Sequence, residues 1–275
     1  MLDRLTGFAL AVNDLVVTSE KSWLLRPYAL VRELGVYFFG FLSRLRRESA
    51  RSNTKFIIYC HGRTGSTLLV DLLNAHPCVH CDREVLALPS LFTQKFLNAK
   101  RANYSELAFG CKILNHQLMR QVGQAEIHDF LQELRADGWK VIYLVRDNTV
   151  RHALSFMAMR HRPKRHRKVA DRSFSQATFY VETKELQRRM ENLRHERLRD
   201  DALLSEVDHL CLVYERDLLD GLRHQETANR VFAYVGLEPA EVRTRLARTT
   251  SDSLADFIAN ADEVEAFEQS SHFAT

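Results

Sequence analysis

The sequence predicts an α/β fold in which helices flank a central parallel β-sheet. Three short apolar runs have the character of strands buried on both faces, at 56–60, 141–145 and 210–214. A helical pattern follows each of them. Because strands that alternate with helices pair in parallel, this order favours a helix-covered sheet. The composition agrees, since 45% hydrophobic and 27% charged residues are ordinary for a globular chain of 275 residues.

An N-terminal segment, residues 1–52, is predicted to form a helical arm ahead of the main domain, residues 53–275. Its apolar stripe at helical spacing consists of Leu30, Leu34, Phe38, Phe41 and Leu45. Such a stripe either packs on the core or lies on a membrane surface, and both interpretations stay open. No run is long enough to cross a bilayer, and we see no secretory leader. We therefore expect a cytoplasmic protein, with peripheral membrane contact left open.

The main domain is predicted to alternate strands and helices. Leucines at helical spacing follow the first strand, and another helix begins near Thr149, after the second strand. Further helical stretches are predicted at 125–136, 173–199, 216–222 and 228–235. Because ligands gather at the carboxyl ends of parallel strands, we expect residues 63–67, Arg146 and Tyr214 to lie along one edge of the sheet.

The charge balance is mild. With 39 basic and 35 acidic residues, the net charge of +4 does not indicate a nucleic-acid partner. Six Lys or Arg residues are concentrated at 160–168, whereas 249–275 holds six carboxylates and no Lys or Arg. Both runs are typical of solvated surface. The basic run would also attract an anionic substrate or membrane.

The cysteine pattern is that of reduced thiols. An odd number, five, does not suggest a disulfide framework. Cys78 and Cys81 form a C-x-x-C pair, but no second pair follows. A metal site is therefore not predicted.

A glycine-containing turn, His61-Gly-Arg-Thr-Gly-Ser-Thr67, joins the first strand to the helix after it. Backbone N–H groups of such a turn and of the helix N-terminus bind anions. Hydroxyls of Ser66 and Thr67 and the charge of Arg63 would add to this site. No lysine precedes Ser66, so the turn is not a Walker A loop. A plain turn is the alternative interpretation.

A second polar segment, 146–155, follows the strand at 141–145 and continues into a helix. Arg146 stands at the strand end, and Ser155 shares a helix face with Arg151. Taken alone, such residues more often have a structural role. At the same sheet edge as the first turn, they offer a second anion contact, so a nucleotide with two phosphates is indicated.

The pairing of GRTGSTLL with RDNTVRHALS resembles the sulfotransferases that use 3′-phosphoadenosine 5′-phosphosulfate (PAPS). It is most similar to bacterial carbohydrate and glycolipid sulfotransferases of the nodulation-factor and trehalose type. The likeness runs from Lys55 to Ala266. It implies a P-loop-like fold, PAPS as co-substrate and no required metal. It also implies in-line transfer of the sulfuryl group to a hydroxyl of a glycan, a glycolipid or a peptide.

The same resemblance assigns site residues. The 5′-phosphosulfate would be held by Arg63, Thr64, Gly65, Ser66 and Thr67. The 3′-phosphate would be held by Arg146 and Ser155, and Tyr214 would orient the adenine. Glu84 would be the catalytic base, with a pKa raised by partial burial, and His80 is its rival.

Two further parts of the site are less defined. Lys112 would contact the sulfuryl group or the acceptor, although a surface lysine is the alternative. No third wall of the nucleotide site is assigned beyond Arg243, Arg245 and Arg248. The insert at 161–172 is expected to line the acceptor site.

Two other functions remain open at this point. A P-loop nucleotide kinase would need a loop lysine and Mg²⁺-binding carboxylates, which the sequence lacks at the expected positions. A non-catalytic nucleotide- or glycolipid-binding protein would keep the anion loops and tolerate loss of Glu84. The sequence predicts no oligomeric state.

Overall fold

The predicted α/β fold class, a central parallel sheet flanked by helices, is confirmed. A computed structural model describes residues 26–45, 54–161, 167–168, 178–247 and 251–272. Within them, five parallel strands form one sheet in the order β2-β3-β1-β4-β6. These strands are β1 (Thr54–Cys60), β2 (Val79–Glu84), β3 (Ala108–Leu114), β4 (Trp139–Val145) and β6 (His209–Val213). Two short antiparallel strands, β5 (Arg167–Lys168) and β7 (Leu246–Ala247), pair separately.

Helices connect the strands. In chain order the described helices are α1 (Arg26–Leu45), α2 (Ser66–Leu73), α3 (Thr93–Ala102), α4 (Asn115–Val122), α5 (Ile127–Ala136), α6 (Thr149–Arg160), α7 (Thr183–Leu204), α8 (His224–Val235) and α9 (Ala261–His272). Helix α2 follows the strand predicted at 56–60, and α6 follows the strand predicted at 141–145, as expected. The helices predicted at 125–136 and 228–235 correspond to α5 and α8.

The alternation of side chains along β1 divides the core between the two faces of the sheet. Phe56, Ile58 and Cys60 pack with the apolar residues of α2 and α8. Ile57 and Tyr59 pack with those of α4 and α5 on the other face. All five are fully buried, as expected of a strand covered by helices on both sides. A third core joins α6, α7 and α9.

The strand order reverses at β1. The chain fills one side of β1 with β2 and β3, then crosses to the other side with β4 and β6. At such a reversal, the loops that leave the carboxyl ends of neighbouring strands diverge and leave a crevice. The loop after β1 and the loop after β4 therefore flank one crevice.

Two predicted helices were wrong in extent or type. The long helix predicted at 173–199 begins only at Thr183, because residues before it are extended. Phe179 forms a strand-like bridge with Ile258, and the amide of Asn260 bonds both backbone groups of Val181. The stretch predicted at 216–222 is a π-helical turn, Tyr214–Leu218, and a 3₁₀ turn, Gly221–Arg223. Residues 173–177 lie outside the described part of the chain.

Helix α1 packs against the segment between β2 and α3. The buried carboxylate of Glu33 accepts a hydrogen bond from the backbone N–H of Leu91 at 2.7 Å, and Arg32 donates to the carbonyl of Pro89 at 3.0 Å. The opposite side of α1 exposes an apolar stripe, Leu30, Val31, Leu34, Phe38 and Phe39. Within the described residues, no helix combines the length and apolar character needed to span a membrane. The division at residue 52 stays a prediction.

Candidate functional site

The β1–α2 loop, residues 61–65, has the backbone geometry of a tight anion-binding turn. Arg63 has φ +65°, a left-handed conformation that a non-glycine residue keeps only when its surroundings enforce it. Gly65 has φ +81° and leads directly into α2. A Cβ atom at Gly65 would lie 2.5 Å from the ring of Tyr214, so this position needs glycine for both its conformation and its packing.

The two anion-type segments of the sequence meet at this loop. Nε of Arg63 donates a hydrogen bond to Oγ of Ser155 on α6 at 2.9 Å, and Nη1 of Arg146 donates to the carbonyl of Arg63 at 3.2 Å. Ser155 is buried, and only 9% of the Arg146 side chain is exposed. The structure therefore joins residues that are about 90 positions apart in sequence into one site.

Arg146 is oriented by the residues that follow β6. Its guanidinium lies 4.7 Å from the centre of the Tyr214 ring. Its Nε donates to Oε1 of Glu215 at 3.2 Å, and the other carboxylate oxygen of Glu215 accepts from the backbone N–H of Asp147 at 2.9 Å. Glu215 thus holds both the side chain of Arg146 and the start of the next loop. Sequence analysis missed this role of Glu215, because its place directly after Tyr214 indicates its position at the sheet edge but not its partner.

A cavity of about 240 Å³ opens beside Arg146. Arg151, Tyr214 and Glu215 line it together with three residues from the segment that precedes α9: Ser251, Asp252 and Phe257. This C-terminal segment thus supplies one wall of the cavity beside Arg146. The arginines that the sequence offered for a third wall of the nucleotide site are not among the residues that line this cavity. Arg243 is exposed and pairs with Glu241 at 2.6 Å, and Arg245 is also exposed. Arg248 lies outside the described residues.

Glu84 and Lys112 form a pair on the other side of the loop. Nζ of Lys112 lies 2.9 Å from Oε1 of Glu84 and 3.5 Å from Oγ1 of Thr67. Gln117 donates to the second oxygen of Glu84 at 2.9 Å. Lys112 is almost fully buried, so the surface-lysine interpretation was wrong.

The expected raised pKa of Glu84 was also wrong. Burial alone would raise the pKa of this carboxyl, but the ammonium of Lys112 and the amide of Gln117 outweigh burial and hold the pKa below its ordinary value. Glu84 is therefore a carboxylate at neutral pH. It can accept a proton without first losing one.

His80 lies elsewhere. It occupies the amino-terminal half of β2, opposite Phe109 in the strand register, whereas Glu84 ends the strand opposite Lys112. Its ring stacks on Tyr104 with centres 3.8 Å apart, and its Nε2 bonds Asp82 at 3.1 Å. Four residues of a strand span about 13 Å. The structure therefore does not bring His80 to the β1–α2 loop.

Comparison with solved structures finds distant similarity to sulfotransferases. The chain is similar to a sulfotransferase from Alicyclobacillus acidocaldarius, with 15% identity and a TM-score of 0.46, over 81% of this chain and 93% of that one. It is also similar to mouse sulfotransferase SULT7A1 complexed with PAP, with 15% identity and a TM-score of 0.40, over 84% of this chain and 68% of that one. No family model and no curated protein matches the sequence.

The hydroxyl residues of the loop have different surroundings. Thr64 is buried and donates from Oγ1 to the carbonyl of His61 at 2.9 Å, so its side chain closes the turn. Ser66 is buried at the start of α2, and Thr67 lies within reach of Lys112. The first-turn hydroxyls and N–H groups of α2 are thus placed where an anion would meet the helix N-terminus.

Two histidines support the loop, and sequence analysis assigned a role to neither. Nε2 of His152 on α6 donates to the carbonyl of Gly62 at 2.7 Å, and burial lowers the pKa of His152 to about 3, so the ring is neutral. His61 contacts two carboxylates of α7, those of Glu196 and Asp200. Their positions one residue after β1 and six residues after Arg146 were the only signals available.

Other predicted features of the site are only partly described. The insert at 161–172 lies outside the described residues except for His161, Arg167 and Lys168. In the described ranges, no group of three His, Cys, Asp or Glu side chains is placed to hold a metal ion. The five cysteines are free, as predicted. Burial raises the pKa of the thiols of Cys60, Cys81 and Cys111.

Proposed function

We propose that this protein is a PAPS-dependent sulfotransferase that transfers a sulfuryl group to a hydroxyl of an acceptor. The observation that carries the proposal is the contact between the two anion-type segments, where Arg63 donates to Ser155 and Arg146 to the carbonyl of Arg63. A mononucleotide-binding turn needs only the first segment. Two segments joined in one crevice suit a nucleotide that carries phosphate at both ends of its ribose.

The residues present fit such a nucleotide. The N-terminal end of α2, with Ser66 and Thr67, would hold the 5′ group, and Arg63 would neutralise its charge. Arg146 and Ser155 would hold the 3′-phosphate. The ring of Tyr214 stacks with the guanidinium of Arg146 and borders the 240 Å³ cavity. Tyr214 would orient the adenine.

Sulfuryl transfer to a hydroxyl requires a base that accepts the hydroxyl proton and cations around the transferred group. When bound, PAPS would supply the sulfuryl group and leave as adenosine 3′,5′-bisphosphate. Glu84 would accept the proton of the acceptor hydroxyl, since it is ionised and Gln117 holds its orientation. Lys112 lies between Glu84 and Thr67 and would stabilise negative charge beside the loop.

For the acceptor we propose a glycan or a glycolipid, and a peptide hydroxyl is the alternative. The resemblance to carbohydrate and glycolipid sulfotransferases supports this class. The exposed stripe on α1 supports peripheral contact of a cytoplasmic protein with a membrane, because amphipathic helices bind lipid surfaces through such faces. Helix α1 is held to residues 89–91, and Gln121 of α4 accepts from the N–H of Ser90 one turn after Gln117, which donates to Glu84. Contact through α1 would therefore bring a lipid surface to the Glu84 side of the molecule.

The nucleotide is tested by thermal-shift titration with adenosine 3′,5′-bisphosphate, ATP, ADP and AMP, each with and without Mg²⁺. We expect stabilisation by the bisphosphate without metal, about 2.7 kcal/mol at 100-fold excess over Kd. Arg146→Ala should abolish it. Arg135→Ala is the matched control, because Arg135 pairs with Asp208 at the amino ends of the strands. A Mg²⁺-dependent preference for ATP would overturn the proposal in favour of a kinase.

The reaction is tested by transfer of labelled sulfuryl from PAPS to a panel of trehalose, chito-oligosaccharide, glycolipid and tyrosine-peptide acceptors. Transfer to a carbohydrate hydroxyl supports the proposed class. Bisphosphate binding without transfer to any acceptor, unchanged in Glu84→Ala, would instead indicate a non-catalytic nucleotide-binding protein.

A further inference from the structure

Asp200 on α7 is a fully buried carboxylate that the proposed reaction does not use. Three side chains donate to it: Tyr59 from β1 at 3.1 Å, Asn115 from α4 at 2.7 Å, and Nε2 of His61 at 2.6 Å. A buried carboxylate is costly unless donors or a cation compensate it. Here the compensation comes from β1, from α4 and from the first residue of the β1–α2 loop.

His61 is charged in this arrangement. Its second ring nitrogen, Nδ1, lies 3.2 Å from Oε2 of Glu196, one turn before Asp200 on α7. An imidazole that donates from both nitrogens is the protonated form. Burial alone would lower the pKa of His61, but the hydrogen bonds to Asp200 and Glu196 outweigh it and raise the pKa to about 9. At neutral pH, His61 and Asp200 are therefore a buried ion pair.

The backbone of His61 is the base of the loop. Its carbonyl accepts the hydroxyl of Thr64, and the carbonyl of the next residue, Gly62, accepts from His152. Arg63 follows in its left-handed conformation. Such a conformation persists only where neighbouring contacts over-determine it. A displacement of His61 would move the carbonyl that anchors Thr64 and relax this turn.

We propose that Asp200 is a positioning residue that holds the β1–α2 loop in its binding conformation through His61. Its contribution to affinity rests on the proposed function, while its effect on the loop itself does not. The charged and titratable groups that face His61 are Asp200 and Glu196 from α7, His116 from α4 and His152 from α6. Asp200→Asn keeps the shape of the side chain and removes its charge, so the pKa of His61 should fall.

The loop is tested without any ligand by amide hydrogen exchange in the full chain. We expect exchange across 61–67 to be about tenfold faster in Asp200→Asn, which corresponds to the loss of one hydrogen bond to a charged group. Asp201→Asn is the matched control, since Asp201 is the next residue of α7 but bonds Arg197 and Tyr143 instead. Equal exchange in both variants would overturn the proposal.

A double-mutant cycle tests whether Asp200 acts through His61. We expect Asp200→Asn to weaken binding of adenosine 3′,5′-bisphosphate about tenfold, which matches the loss of one hydrogen bond to a charged group. The double variant with His61→Gln should bind no more weakly than His61→Gln alone. Additive losses would show that Asp200 does not act through His61.

Two outcomes separate this proposal from the proposed function. If exchange of the loop is faster in Asp200→Asn but the native protein binds no bisphosphate, the positioning role of Asp200 stands and the proposed sulfotransferase function is overturned. If the native protein binds the bisphosphate tightly but loop exchange is unchanged in Asp200→Asn, the proposed function stands and the positioning role is overturned. If Asp200→Asn does not fold, His61→Gln replaces it, because it breaks the same contact from the other side. Unchanged exchange across 61–67 in that variant would overturn the proposal.

Discussion

At the scale of single residues, the candidate site consists of charges that already have partners. Arg146 is held by Glu215, Lys112 by Glu84 and Arg63 by Ser155. Each cation is therefore fixed before a ligand arrives, so binding orders few side chains and preserves most of the interaction free energy. The same pairing explains why Glu84 is ionised instead of protonated.

Glu84→Gln should therefore strongly reduce the rate of transfer while leaving nucleotide affinity nearly unchanged. We expect a loss of about 10²–10⁴-fold in kcat, the usual contribution of a general base. Asp82→Asn is the matched control: this carboxylate, on the same strand, pairs with Lys100 at 2.7 Å and with His80. Loss of activity in Asp82→Asn together with full activity in Glu84→Gln would indicate that His80, which bonds Asp82, is the base.

The pKa of Glu84 also predicts a pH dependence of stability. Because its folded-state pKa is lowered, its stabilising effect is complete above the unfolded value, about 4.3, and is lost as pH falls through the folded value. Urea unfolding of the native chain and of Glu84→Gln should differ most at pH 6 and converge towards pH 3. A difference that grows on acidification would contradict this ionisation state.

At the scale of elements, two loops determine the site, and each depends on a neighbouring element for its shape. The β1–α2 loop is held by α6 through His152 and Ser155, and it packs against Tyr214 of the π-helical turn. In that turn, the carboxylate of Asp217 accepts from the backbone N–H of Val213 at 2.7 Å, which closes the chain back onto the end of β6. The conformation of the β1–α2 loop is thus set by tertiary contacts, whereas a local hydrogen bond closes the π-helical turn.

Gly65→Ala separates the two reasons for glycine in the loop. Gly138 has nearly the same φ, +80°, but an added Cβ there would meet no atom within 4 Å. Gly138→Ala should therefore show only the cost of the left-handed conformation, about 1–2 kcal/mol. Gly65→Ala adds a clash with Tyr214, which costs about 1–3 kcal/mol more. Equal losses in chemical denaturation would mean that Tyr214 moves aside freely.

At the scale of the whole molecule, sequence patterns predicted the strands, the turn and the sheet edge that carries the site, and missed the distant partners of its charged residues. The buried strands and the turn at 61–67 follow from apolar runs and glycine placement, so both could be predicted. The partners of Arg146 and His61 come from segments about 70 and 140 residues away, Glu215 and Asp200. An acidic residue in a polar helix or turn has no local pattern that distinguishes a buried partner from a solvated one. Hence neither was predicted.

The exposed stripe on α1 leads to a prediction for the intact protein. Leu34→Ser with Phe38→Ser should reduce co-sedimentation with vesicles that contain anionic lipid, since both side chains are more than half exposed. Leu222→Ser is the control, because Leu222 is 89% exposed on a different element. Equal sedimentation of all three proteins would exclude α1 as the lipid contact.

The parallel pairing of β1 with β4 has a consequence for folding. The two strands are adjacent in the sheet, yet about 80 residues of chain separate them, and parallel pairing at that separation forms slowly. The bond between Arg63 and Ser155 spans the same junction. A nascent chain or proteolytic fragment that stops before residue 139 would carry the GRTGST turn without the residues that complete its crevice. Nucleotide binding should therefore appear only late in refolding, together with the closed sheet, and would serve as a reporter of complete folding.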